Sequence, residues 1–147
     1  VFARSNVFAN YDQSVDAPVF INGGTLTNQG AVFNRLGSVV LNTGGSILSV
    51  AGNTSAGQAA WALGREVLVS GNAAIGGFGA VMLGAGTSNA GAIFNVSAAG
   101  SLGINADLIN SSNNTLYNPQ MSAITKTGSG TLILSGNNTY SGHTNIQ

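Results

Sequence analysis

Side chains able to do acid–base chemistry are scarce in this chain. Asp12, Asp16, Glu66 and Asp107 are its only carboxylates, and His143 is its only histidine. General acid–base catalysis and glycoside cleavage need two convergent carboxylates, or a carboxylate beside a histidine. Glu66 and Asp107 are the one pair whose spacing could place them on a common face of a repetitive fold. Arg65, next to Glu66, gives that carboxylate a simpler use in a surface ion pair. Asp12 and Asp16, in Tyr-Asp-Gln-Ser-Val-Asp, lack the glycine and third acidic ligand of a calcium loop, so they read as a solvated turn. A single histidine builds no metal site, and His143 reads as a solvated turn residue. Gly76-Gly77-Phe78-Gly79 is not followed by Lys-Ser/Thr and opens no helix, so it reads as tight turns and not as a phosphate loop. The Asn-x-Ser/Thr triplets at Asn53, Asn95, Asn110, Asn113 and Asn137 read as turns too. Absence of cysteine removes thiol catalysis, Cys-based metal sites and a disulfide framework. The expectation is a non-enzymatic protein with no cofactor and no metal. A polysaccharide-degrading β-helix using Glu66 and Asp107 is the catalytic alternative.

Binding chemistry is constrained in the same way. The four basic residues, Arg4, Arg35, Arg65 and Lys126, balance the four acidic ones, and charged residues make up only 5% of the chain. Nucleic-acid binding needs several cations on one face, and these four form no run. No apolar stretch reaches the roughly 18–20 residues of a membrane span; the nearest, Gly71 to Gly86, is broken by Asn72 and several glycines. No signal peptide is visible at the start. Polarity comes from Asn, Ser, Thr and Gly, the composition of a surface protein built from stacked turns. The ten aromatic residues show no groove and read mainly as core rings, with a sugar-binding strip as the lesser reading.

The elements that would position these residues are short. Val39-Val40-Leu41, Ile47-Leu48, Val67-Leu68-Val69, Val81-Met82-Leu83 and Ile93-Phe94 are aliphatic groups bounded by Gly and Asn. Leu102-Gly103-Ile104, Leu108-Ile109 and Leu132-Ile133-Leu134 continue the series. Such a train predicts short strands separated by turns. Ala56 to Leu63 is the one helix-compatible stretch; a local patch over a coil, around Ala59, Ala60 and Trp61, is the preferred reading. Turn-like segments recur near residues 30, 52, 71, 91, 113 and 137, which predicts about six coils of roughly 19–24 residues. In a parallel β-helix each strand pairs with the one a coil away, about 4.8 Å distant. The narrow core takes Val, Ile, Leu and Phe, while Gly and Asn make corners and stacked Asn and Thr form ladders. An antiparallel sandwich, with hairpins at Gly23-Gly24, Gly44-Gly45 and Gly76-Gly77, is the competing fold.

One segment is more specific. Lys126, Gly128, Gly130, Thr131, Leu132, Leu134, Gly136, Asn138, Tyr140, Gly142 and Thr144 fit a pattern in which Gly-x-Gly leads a Thr-Leu-x-Leu strand into an Asn and Tyr corner. Gly128 and Gly130 would turn into the strand, Leu132 and Leu134 would share one face, and Gly136-Asn137-Asn138 would turn the next corner. Tyr140 would lie across the coil edge with its hydroxyl in water. This segment, 124–147, resembles the passenger-associated transport repeat of bacterial autotransporters; His143 departs from it, a second Gly being commoner there. The resemblance implies an all-β, right-handed parallel β-helix, with residues 1–147 a single segment of a longer passenger. It further implies export through the protein's own C-terminal outer-membrane barrel and an extracellular or outer-membrane-surface location, as stalk or adhesin scaffold. Contact with a host or glycan surface, and self-association into fibres or biofilm matrix, are the further partner readings. A start at Val1 and a stop within Thr144-Asn145-Ile146-Gln147 fit a section of a longer protein.

Overall fold

The structure, a computed structural model, describes residues 2–3, 18–28, 34–50, 59, 61–84, 91–112 and 119–147. Every regular element among them is a strand. First come β1 (Phe2–Ala3), β2 (Val19–Ile21), β3 (Thr25–Asn28) and β4 (Asn34–Leu36). The next coil has β5 (Val39–Asn42), β6 (Ser46–Ser49) and β7 (Trp61–Leu63), and the one after it β8 (Glu66–Ser70), β9 (Asn72–Gly77) and β10 (Val81–Leu83). Then follow β11 (Ala92–Val96), β12 (Ser101–Ile104), β13 (Leu108–Ser112) and β14 (Pro119–Gln120). The chain closes with β15 (Ile124–Thr127), β16 (Thr131–Leu134) and β17 (Thr144–Ile146).

These strands sort into three sheets that the chain visits in rotation. One sheet is β2-β5-β8-β11-β15-β17, the second β1-β3-β6-β9-β12-β16, and the third β4-β7-β10-β13-β14. We call them the first, second and third sheets. Pairing is parallel throughout except between β13 and β14. Parallel neighbours far apart in sequence, with no hairpins between them, are the signature of a β-solenoid and exclude the face-to-face antiparallel sandwich. Gly23-Gly24 and Gly44-Gly45 accordingly serve corners between sheets, whereas Gly76-Gly77 ends strand β9. Gly23, Gly44, Gly71 and Gly128, all at positive φ, carry the chain from the first sheet to the second.

Alternation explains why the strands stack in register. Side chains point to opposite faces with period two, so each strand gives one set to the core. Val39, Val67 and Phe94 form a buried column in the first sheet. In the second sheet Leu26, Ile47, Ile75, Ile104 and Leu134 line up across five coils. Leu36, Leu63 and Leu83 do the same in the third. One apolar cluster draws on all three sheets. The third sheet is buried on its other side too, where Met82 and Ala62 pack with Ala59. Outward positions carry polar ladders: Asn42 Nδ2 donates to Asn22 Oδ1, and Ser70 Oγ to Asn42 Oδ1.

Three expectations need correction. The step between register partners runs from 20 residues (Val19 to Val39) to 32 (Phe94 to Lys126), wider than 19–24. Turn signals sit at more than one corner of each coil, so counting from turn to turn mixes corners. Trp61 to Leu63 is strand; Trp61, read as part of a patch over a coil, is wholly buried in the core, and its Nε1 donates to the Leu48 carbonyl at 3.2 Å. Residues 56–58 and 60 of that stretch lie outside the described residues. Of the aromatic rings, Trp61 and Phe94 are in the core, but Phe20 and Phe78 are exposed.

Candidate functional site

Residues 124–143 make the last full circuit of the solenoid, β17 starts another on top of β15, and each motif position along 124–147 has a distinct physical task. β15 pairs with β11 on one side and β17 on the other. Ile124 is buried, and alternation returns Lys126 to the same side, in register between Phe94 and Ile146. Lys126 is therefore buried, only 8% exposed, and its Nζ donates to the carbonyls of Thr127 at 2.9 Å and Gly128 at 2.5 Å. Those two bonds let the ammonium lie along an apolar column while capping the corner.

At that corner the backbone of the last coil lies almost on the backbone of the coil before it. A Cβ on Gly128 would fall 2.3 Å from the Val96 carbonyl oxygen, and one on Gly130 would fall 2.0 Å from that of Ser97. The close approach allows Gly130 N–H to donate to Val96 at 2.9 Å and Thr131 N–H to Gly100 at 3.0 Å. β16 follows at once, with Leu132 over Leu102 and Leu134 over Ile104. Both leucines pack on the core but are only partly buried, unlike the residues beneath them.

The second corner uses side chains where a strand is missing. No strand of this coil continues the third sheet past β13 and β14. Instead Asn138 Oδ1 accepts from Leu108 N–H at 3.0 Å, and Thr139 N–H donates to Leu108 O at 2.9 Å. Both backbone groups of Leu108 are thus satisfied without a ladder. Gly136 and Gly142 repeat the close approach, with Cβ positions 2.3 Å from the carbonyl oxygens of Ala106 and Ser122. Tyr140 packs against the core, and its hydroxyl pairs with Thr144 Oγ1 at 2.7 Å rather than only with water. Thr144 opens β17 in register with Ile124.

Of the residues that hold this coil, Ser122 gave no sequence signal, and Asn110, read as a turn, stands in strand β13. Ser122 is fully buried; its Oγ donates to Leu83 O at 2.6 Å and accepts from Ser111 N–H at 2.8 Å. Asn110 Oδ1 accepts from the N–H groups of both Ser122 and Ser141 at 3.0 Å. Only the register of distant strands brings these groups together.

The candidate acid–base residues do not converge. Glu66 opens β8 in the first sheet, where Asn95 Nδ2 donates to its Oε1 at 3.0 Å. Asp107 sits between the second and third sheets, where its Oδ1 accepts from Asn137 N–H at 2.7 Å. Each carboxylate thus ties one coil to the next at a different corner. His143 has an exposed side chain, and its carbonyl accepts from Ile124 N–H at 2.9 Å. Asp12 and Asp16 lie outside the described residues. Among the described residues no three His, Asp or Glu side chains gather as a metal site would require, and no helix is long and apolar enough to cross a membrane.

What this arrangement does chemically is hold one coil on another. Comparison with curated proteins and with solved structures gives no match to the chain. The coil built from Lys126 to Thr144 does find its counterpart: residues 124–147 match the family model of the passenger-associated-transport-repeat, the repeat associated with autotransporter passengers.

Proposed function

We propose that residues 1–147 are one solenoid segment of an autotransporter passenger, displayed at the outer-membrane surface or released from it. In this reading the segment is structural and non-catalytic, a stalk or adhesin scaffold, and its export partner is the protein's own C-terminal outer-membrane barrel. The observation that carries the reading is the match of 124–147 to the passenger repeat, on a coil whose motif residues all serve stacking. A coil of this kind folds by adding to its neighbour, each rung burying the face that the last left open. Leu132 and Leu134, stacked on Leu102 and Ile104, bury the coil before them in this way. Coil-by-coil folding outside the cell would oppose backsliding of the chain through the barrel without a nucleotide.

The test is surface display of the passenger fused to its barrel. Leu132→Asp with Leu134→Asp puts two carboxylates into the apolar column, and protease-accessible passenger at the surface should fall severalfold while barrel insertion stays normal. Undiminished display would contradict the export role.

A further inference from the structure

Asn22 is the one asparagine in the sequence that a glycine follows. Deamidation requires the backbone nitrogen of the next residue to reach the asparagine Cγ, and a residue without a Cβ puts least in its way. Asn22 is exposed and stands at the corner between β2 and β3, with Gly23 at φ +69. Two later corners of the same row are crowded: a Cβ on Gly71 would meet Thr43 Oγ1 at 2.1 Å, and one on Gly128 would meet Val96 O at 2.3 Å. At the first corner a Cβ on Gly23 would have Thr43 O at 3.6 Å, and one on Gly24 would meet nothing within 4 Å. A ring joining Asn22 to Gly23 therefore has space.

Two hydrogen-bonding details favour reaction there. Gly44 N–H, one coil on, donates to Asn72 O at 2.7 Å, whereas among the described residues Gly23 N–H meets no acceptor. No bond has to open before solvent hydroxide takes its proton. Asn22 Oδ1 accepts from Asn42 Nδ2, and Ser70 Oγ holds Asn42 from the other side by donating to its Oδ1. Asn22 Oδ1 is the atom that gains negative charge when a nucleophile adds to Cγ, and a donor already aimed at it stabilises the adduct.

We propose that Asn22-Gly23 is a self-modification site at which the folded chain converts an amide to a carboxylate, with Asn42 as the positioning residue. The Gly23 nitrogen, its proton lost to hydroxide, bonds to Asn22 Cγ. The Cγ–Nδ2 bond breaks, and ammonia leaves with a proton from water, which restores the hydroxide. Water then opens the succinimide at either carbonyl, giving aspartate or isoaspartate. One water is consumed and one ammonia released, with no oxidation. The corner accommodates the products. Aspartate keeps the bond from Asn42, now charge-assisted. Beyond the reacting bond β3 is anchored, with Gly24 O accepting from Ser46 N–H at 2.9 Å and Thr25 Oγ1 paired with Ser46 Oγ at 2.8 Å. The new carboxylate takes the net charge from zero to minus one.

Peptide mass mapping of the folded 147-residue chain, incubated in heavy-oxygen water, tests this. Asn22 should convert ahead of every other asparagine, take up the heavy oxygen and yield both isoaspartate and aspartate. β2, β3, β5 and β6, which frame the corner, carry no titratable side chain, so the rate should rise with hydroxide. Asn42→Asp keeps the side chain's shape but removes the donor, and Asn42→Ala removes it without adding charge. In chains that melt as the wild type does, each should slow conversion about two- to tenfold, the worth of one hydrogen bond. Unfolded in urea, all three chains should convert at equal rates. An Asn22 that stays intact in the folded chain while converting in the unfolded one overturns the proposal, as does undiminished conversion in both folded variants. Aspartate without isoaspartate would mean direct hydrolysis of the amide and overturn the ring.

Discussion

Gly130 and Gly103 lie on the same side of the solenoid, yet their surroundings differ completely. A side chain at Gly130 would strike the Ser97 carbonyl at 2.0 Å and the Gly100 carbonyl at 2.7 Å, whereas Gly103 has open space. Gly130→Ala must push the last coil off its neighbour and should destabilise it by about 1–3 kcal/mol, the usual range for overpacking. Gly103→Ala should be neutral, or stabilising by up to about 1 kcal/mol through the unfolded state. Urea titration read at the last coil separates the two, and equal effects would refute the close-approach account. The glycine pattern is visible in the sequence, but its reason is not. The carbonyls that forbid a Cβ belong to residues about a coil earlier, and only register reveals them. Lys126 was read only as a scattered cation and a motif position; its burial follows from alternation with Ile124 along β15, which the structure shows.

At the scale of the strand, position along the stack should set local stability. β8 and β11 have a partner on each side, and Val67 and Phe94 are fully covered. β16 pairs only with β12 among the described strands, and its leucines are partly buried. Amide exchange is limited by local opening, so hydrogen-bonded amides of β16 should exchange at least about tenfold faster than those of β8 and β11. Uniform exchange along the chain would mean that the coils do not open separately. Each aliphatic group seen in the sequence became a strand, from Val39-Val40-Leu41 in β5 to Leu132-Ile133-Leu134 in β16. Coil length was not legible, because Gly and Asn mark every corner alike. Nor was the antiparallel pairing of β14 with β13, since Ser111 and Ser112 meet Gln120 and Pro119 across a pair that no residue pattern announces. Phe78 was read as part of a tight turn, and its exposure emerged only with the structure.

For the whole molecule, stability is a sum over neighbours along an axis, as in other solenoids. Columns of aliphatic side chains run through successive coils, while outward positions carry amides, hydroxyls and some exposed apolar side chains such as Leu68, Ile93 and Ile133, with very few charges. Such a body can lengthen by repetition without a new core. It also lacks the charge repulsion that keeps many surfaces apart. The fold and the last coil both rest on parallel stacking in a specified register. Because the chain has no cysteine, introduced pairs report that register cleanly. Leu68 faces Asn95 and Thr125 faces Asn145 on adjacent strands, about 4.8 Å apart and within disulfide reach. Cysteines at either pair should oxidise nearly completely in the folded protein, whereas a pair at Thr125 and Gln147, about 8 Å apart by strand geometry, should not. Efficient bridging of the shifted pair, with none at the aligned ones, would contradict the stacked-coil account.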